Sequence, residues 1–191
     1  MASHFYAMLS RMKNIYRWGL MRNTKTENLS EHSFETAYIA HALGVIAKVR
    51  LNKNVDPEKI AVAALFHDAS EIITGDMPTP VKYDNPEIKA AYKKMEAAAE
   101  EKLYSMLPED LKSEMVNSFA SNDKEIQKFV KAADKISALI KCTEELNMGN
   151  KEFAVAKISL LKAIENLQME EADIFLDEFI ESFSLSIDEQ H

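Results

Sequence analysis

What the sequence lacks narrows the field first. Its single cysteine, Cys142, has no partner, so neither a disulfide framework nor a thiolate metal cluster is available, and a reducing cytoplasm fits such a chain. Glycine and proline are scarce, at four and five in 191 residues, while Ala, Leu, Glu, Lys and Met are abundant, a balance that favours helix throughout. No apolar run approaches the roughly 18 residues of a membrane span. The opening Met1 to Tyr6 lacks a basic segment followed by an apolar core, so a signal peptide is not expected. Positive charge is in deficit, with 23 Lys and Arg against 31 Asp and Glu and a net charge of -8. That argues against nonspecific nucleic-acid binding and anionic membrane surfaces, which reward a basic face. A small anionic ligand stays open wherever a metal or local positive charge receives it. Repeats and low-complexity tracts are absent.

What is present is an apolar share of 47%, enough for one well-packed core and short for two. The expectation is an all-α, single-domain compact helical bundle over residues 1–191. Phe5, Met8, Leu9, Met12, Ile15 and Tyr16 keep helical spacing, with Gly19 as the stop, which leaves Arg17 and Trp18 at a helix end beside a cleft. A guanidinium can fork onto phosphate oxygens and an indole can cover a sugar or base, but a surface Arg beside a packing Trp reads equally well locally. Residues 22–30 form a polar loop before a helix capped near Asn28 or Ser30. On that helix His32 heads a core-facing row with Thr36, Ile39, Leu43 and Ile46, and His41 is expected as a hydrogen-bonded core residue.

Asp56-Pro57-Glu58 starts a helix predicted to run from about 57 to 74 and to stop at Gly75, and its apolar front half marks it as the buried helix of the bundle. Within it, Phe66-His67-Asp68-Ala69-Ser70-Glu71 turns an apolar run into metal-ligand side chains. On a helix Glu71 follows His67 by four residues and Asp68 by three, so all three project into one pocket. Two buried acids there require a cation or hydrogen bonds. The segment Thr74 to Pro80 is a stiff loop, because Pro78 and Pro80 restrict themselves and the residues before them. A helix from Asn85-Pro86 carries Ile88, Tyr92, Met95, Ala99, Leu103 and Met106, and a shorter one after Pro108 carries Leu111, Met115 and Phe119. The helix from about 123 to 148 buries Ile126, Phe129, Val130, Ala133, Ile136 and Ile140, and Gly149 ends it. Asp134 falls in that inward row, with Lys131 and Lys135 pointing elsewhere. Two further helices, 153–167 and 170–183, bring Val155, Ile158, Leu161, Phe175, Leu176 and Phe179 to the core or to an oligomer interface.

His32, then His67 with Asp68, then Asp134 are thus the inward-facing polar residues of three separate helices. Two imidazoles and two carboxylates suit one first-row divalent ion, such as cobalt, manganese, iron, nickel or zinc, better than calcium. This order resembles the H…HD…D pattern of the HD-domain phosphohydrolases. More narrowly, Arg17-Trp18, Thr26-Glu27-Asn28-Leu29-Ser30-Glu31-His32-Ser33, His67-Asp68-Ala69-Ser70-Glu71, the run from Thr74-Gly75-Asp76-Met77 to Tyr83, and Lys131-Ala132-Ala133-Asp134 resemble the bacterial YfbR-type 5′-deoxynucleotidases. The likeness covers nearly the whole chain. It implies a helical bundle of the HD-domain type that removes phosphate from deoxyribonucleoside 5′-monophosphates, with a metal-bound water as nucleophile. It further implies His32, His67, Asp68 and Asp134 as metal ligands and Glu71 as the catalyst. Arg17, Trp18, Asp76, Met77, Pro78 and Thr79 would bind substrate together with His32, Asp68 and Asp134. Nucleic acid and membrane are not expected as partners; a homodimer is. The rivals are another HD-type nucleotide phosphohydrolase and a non-catalytic, metal-stabilised nucleotide-binding module. Two-metal HD enzymes need further histidines, and this chain has none between His67 and His191.

Overall fold

The computed structural model describes residues 2–82, 84–119 and 123–190, and of Ser118 and Phe119 the backbone alone. In chain order the helices are α1 (Phe5–Leu9), α2 (Leu29–Arg50), α3 (Pro57–Leu65), α4 (Glu71–Thr74), α5 (Thr79–Lys82), α6 (Pro86–Tyr104), α7 (Glu109–Phe119), α8 (Lys124–Asn147), α9 (Ala154–Glu165) and α10 (Glu170–Phe179). Tight 3-10 turns follow α1 at Ser10–Asn14, precede α9 at Lys151–Phe153 and extend α10 at Ile180–Ser184. No strand occurs among the described residues, but Tyr16 and Asn28 form one isolated antiparallel bridge. Tyr83 and the side chain of Phe119, both part of the sequence expectations, lie outside the described residues.

Local chemistry sets the helix ends. The Asn28 side chain accepts from the Ser30 and Glu31 amides while Glu31 reaches back to the Asn28 amide, a reciprocal cap at the start of α2. Asp56, Asn85 and Asp123 cap α3, α6 and α8, with Pro57 and Pro86 at first helical positions. Each such cap contributes about 1 kcal/mol. Gly149, at φ 84°, ends α8 in the left-handed region that glycine enters without strain.

The main core lies among α2, α3, α8, α9 and α10, where Ile39, Leu43, Ile60, Ile136, Leu139, Ile140, Ile164 and Phe175 are buried together. Gly44 lets α2 and α3 meet: a Cβ there would stand 2.9 Å from Pro57 Cα, a backbone atom that cannot yield. The most enclosed helix is α8, buried at every position from 136 to 143. This corrects the expectation for α3, which offers Ile60, Ala63 and Ala64 inward while Val62 and Leu65 stay exposed. A second, smaller cluster gathers Phe5, Ala69, Leu103 and Leu107 with Phe66 and Met115. The turn after α3 is therefore wedged between two apolar clusters.

Other sequence expectations also change. The first helix does not reach Gly19; it ends by Asn14, and Ile15 is extended because residues 15–17 pair with 27–29 instead. His41 is exposed, since it falls on the outer stripe of α2. On α6 the inward row is carried by Tyr92, Ala99 and Leu103, with Ile88 and Met95 exposed. Val155, Ile158 and Leu161 line the outer face of α9 and Phe179 is also exposed, so of that set Phe175 is the residue buried in the core. Among the described residues no helix is long and apolar enough to cross a membrane.

Candidate active site

The predicted helix over 57–74 breaks in the middle. After Leu65 the backbone tightens to three-residue hydrogen bonds, Ala69 N to Phe66 O and Glu71 N to Asp68 O, both 3.0 Å. The imidazole of His67 supplies the reason: Nδ1 lies 2.6 Å from Ala64 O, so the side chain takes the carbonyl that a continuing helix would have used. A carbonyl only accepts, so Nδ1 carries a proton and Nε2 is the nitrogen turned outward.

Around it stand Asp68, His32 of α2 and, through His32, Asp134 from the middle of α8. His67 Nε2 is 3.0 Å from Asp68 Oδ2, and His32 Nε2 is 3.7 Å from the same oxygen and 3.2 Å from Asp134 Oδ1. The two imidazole centroids are 5.3 Å apart. His32, His67 and Asp68 each bring one ligand atom to within 4.8 Å of the others; Asp134 stands beside this group through His32. Glu71 Oε2 is buried without a hydrogen-bond partner. Buried orphan donors and acceptors are rare and call for an ion or water, and a nitrogen and oxygen set of this kind suits a first-row divalent cation.

The electrostatics agree. Burial opposes charge on Asp68, yet His67, with His32 and Arg17 behind it, holds this carboxylate far below the usual range. Burial also works against Asp134, but the His32 hydrogen bond outweighs it and leaves the group at about 2. Burial disfavours a charged His67 ring, yet Asp68 and then Asp134 raise it to about 9, so the pocket attracts positive charge. Glu71 is pushed up to about 9, by burial first and then by Asp68 and Asp76, against Arg17 and Lys82. A divalent cation among the ligands would lower it again, because opposite charge favours the carboxylate.

Arg17 and Trp18 arrive on the extended clasp. Arg17 N donates to Glu27 O at 3.0 Å and Leu29 N to Ile15 O at 2.8 Å. The guanidinium is largely enclosed, with Nη1 3.5 Å from Asp68 Oδ2 and Nε 3.4 Å from Glu27 Oε2. Trp18 takes a positive φ of 60°, a strained choice for a bulky residue, and it is over-determined by its surroundings. Its Nε1 donates to Glu27 Oε2 at 2.7 Å and its ring meets Phe153 at 5.3 Å. The loop behind is pinned by buried Glu145, which accepts from the Thr24 and Lys25 amides at 2.8 and 3.1 Å and pairs with buried Lys141. Sequence alone did not single out Glu27, Lys141 or Glu145: acids and lysines in polar context carry no sign of burial.

Asp76 is the loop residue whose charge acts on the cluster; burial raises it, with Arg17 pulling the other way. Met77 and Pro78 are half-buried after it. Thr79 is exposed and opens α5 with Pro80, so the loop is shorter than expected; proline fits a first helical turn, where its missing amide is not needed. The structure thus brings His32, His67, Asp68, Asp134 and Arg17 into contact, sets Glu71 and Asp76 near enough for their charges to act on Asp68 and Arg17, and anchors Trp18, next to Arg17, on Glu27.

A helical bundle with an imidazole, an adjacent His-Asp pair and a further Asp at one cleft defines the HD class. Solved structures share the fold: an HD-domain phosphohydrolase from Listeria innocua has a TM-score of 0.80 at 24% identity over 94% of this chain and 88% of its own. The cyanophage S-2L HD phosphohydrolase DatZ, solved with dA and one catalytic zinc ion, has a TM-score of 0.70 at 20% identity, covering 92% and 96%. The family model described as 5′-deoxynucleotidase YfbR-like matches residues 4–183. A 5′-deoxynucleotidase from Photobacterium profundum is 50% identical over 189 residues, 98% of this chain and 97% of the relative. The chain belongs to the YfbR-like 5′-deoxynucleotidase family.

Proposed function

We propose that this chain is a metal-dependent phosphomonoesterase that hydrolyses deoxyribonucleoside 5′-monophosphates to deoxynucleoside and phosphate. One domain over residues 1–191 would carry the activity. The observation that carries the proposal is the convergence of His32, His67 and Asp68 on one point, with the orphaned Glu71 and the enclosed Arg17 beside it. His32, His67, Asp68 and Asp134 would hold one divalent ion, cobalt, manganese or another first-row metal. When bound, such an ion supplies Lewis acidity, lowering the pKa of a water towards about 7 and neutralising phosphate charge. Glu71 orients the attacking water and accepts its proton; Arg17 holds the phosphate in line. Asp76 protonates the leaving 5′-oxygen or binds the sugar hydroxyl. Trp18 and Met77 to Thr79 form the wall against the nucleoside, with His32, Asp68 and Asp134 also meeting the phosphate side.

A cytoplasmic setting is part of the proposal, supported by a single cysteine, Cys142, which leaves no disulfide framework. So is a homodimer, supported by the uncovered row Val155, Ile158 and Leu161 on α9. The test is phosphate release from a panel of ribo- and deoxyribonucleoside 5′-monophosphates with cobalt, manganese or no metal. Metal-dependent turnover favouring the deoxy series is expected; no turnover with any metal would reduce the chain to a nucleotide-binding module.

A further inference from the structure

His32 faces the ligand cluster with Nε2, and its other ring nitrogen is engaged elsewhere. Nδ1 lies 3.1 Å from Ser137 Oγ on α8, and that hydroxyl donates to Glu35 Oε2 on α2 at 2.7 Å. The other Glu35 oxygen accepts from the Tyr38 hydroxyl at 2.8 Å. His32 and Ser137 are both fully buried. The ordinary fate of a buried helical hydroxyl is seen nearby on the same helix, where Thr143 donates to its own backbone at Leu139 O. Ser137 instead reaches across to α2.

The hydrogen count then settles the direction of the chain. A serine hydroxyl has one hydrogen, and Glu35 receives it. Only lone pairs of Oγ remain towards His32, so the bond at 3.1 Å requires a proton on Nδ1. Glu27 Oε1, 3.9 Å from Nδ1, is a further acceptor on that side. With that proton on Nδ1, Nε2 is the nitrogen left to bind an ion, and it is the one that faces Asp68 and Asp134. We infer that Ser137 and Glu35 are positioning residues that hold His32 in its Nδ1–H tautomer and so present Nε2 to the metal ion. The inference rests on the proposal that His32 is a ligand. On α8, Ser137 follows Asp134 by three residues and shares its face, so one helix supplies both an acid beside the ion and the support of a ligand.

Two measurements on the chelator-stripped full-length chain test this. Calorimetric titration with Co2+ alone should show Ser137→Ala binding about 10- to 100-fold more weakly than wild type. Glu35→Gln, which keeps an accepting oxygen but loses the charge, should weaken binding less. Side-chain 15N NMR of the wild-type protein, at a pH where the His32 ring is neutral, should find the proton on Nδ1, and Ser137→Ala should show a mixture of tautomers. Wild-type Co2+ affinity in Ser137→Ala, or a wild-type neutral ring protonated on Nε2, would overturn the inference. His32→Ala separates it from the reading beneath it: a protein that keeps full Co2+ affinity without His32 removes the ligand itself. Loss in His32→Ala with no change in Ser137→Ala removes the support alone.

Discussion

Trp18 Nε1 and Arg17 Nε converge on a single oxygen, Glu27 Oε2, at 2.7 and 3.4 Å. The side chains of two neighbouring residues are thereby drawn to one buried acid. Arg17 keeps its outer nitrogen for the cleft, 3.5 Å from Asp68. The Trp18 bond to the carboxylate is charge-assisted and fixes the indole's orientation, while Arg17 Nε stands at ion-pair distance from the same oxygen.

Glu27 should therefore matter for substrate more than for metal. Glu27→Gln is expected to raise KM for a deoxynucleoside monophosphate about 10- to 100-fold while leaving the Co2+ content intact, since one charge-assisted contact is worth about 1.5–3 kcal/mol. Arg17→Ala should weaken ribo and deoxyribo substrates equally, because both carry the phosphate. Steady-state kinetics with metal analysis checks both variants; unchanged KM in Glu27→Gln would remove its anchoring role.

Metal binding and chemistry should separate. His67→Ala or Asp68→Ala is expected to abolish both metal content and activity, whereas Glu71→Ala keeps metal and substrate affinity and loses about 100-fold or more in kcat. Full activity in metal-free Asp68→Ala protein, or a wild-type rate in Glu71→Ala, contradicts the corresponding assignment.

Deoxyribose preference requires excluding a hydroxyl, and an apolar pocket alone discriminates by only about 100-fold. The rigid surfaces are Trp18, locked by Glu27 and Phe153, and the Pro78 loop. Trp18→Ala or Pro78→Gly should raise relative activity on ribonucleotides. An unchanged deoxyribo-to-ribo ratio of kcat/KM in both variants would move discrimination elsewhere in the pocket.

Glu145 makes acid stability testable apart from the active site. Burial opposes its charge, but hydrogen bonds from Lys141, Asn150 and the Thr24 and Lys25 amides outweigh it and hold the group at about 2, against 4.5 unperturbed. A depressed folded pKa stabilises above about pH 4.5, and that stability is lost as pH falls towards 2. Glu145→Gln should be less stable at pH 7 and show a flatter acid limb, by up to about 1.4 kcal/mol per pH unit between those values. Parallel pH profiles of thermal unfolding for the two proteins would show that the clamp carries no such linkage.

Much of this molecule is local, and local features are readable in the chain. Caps at Asn28, Asp56 and Asn85 and the 3.6-residue rows of α2 and α8 follow from neighbours a few positions apart, so those helices, and the inward placing of His32 and Asp134, were legible. The His-Asp pair was legible too, but not the geometry that makes it work. A continuous helix was the better local guess for residues 57–74; it fails because the His67 side chain competes for Ala64 O while Phe66 and Ala69 are drawn into the second apolar cluster. Tertiary contact alone decided the partners of Glu27 and Glu145, and the meeting of His32 with Ser137 from 105 residues away. An acid or a hydroxyl looks the same in sequence whether it faces water or a buried donor, and the free energy that separates those cases comes from desolvation, which exists only once the helices have packed.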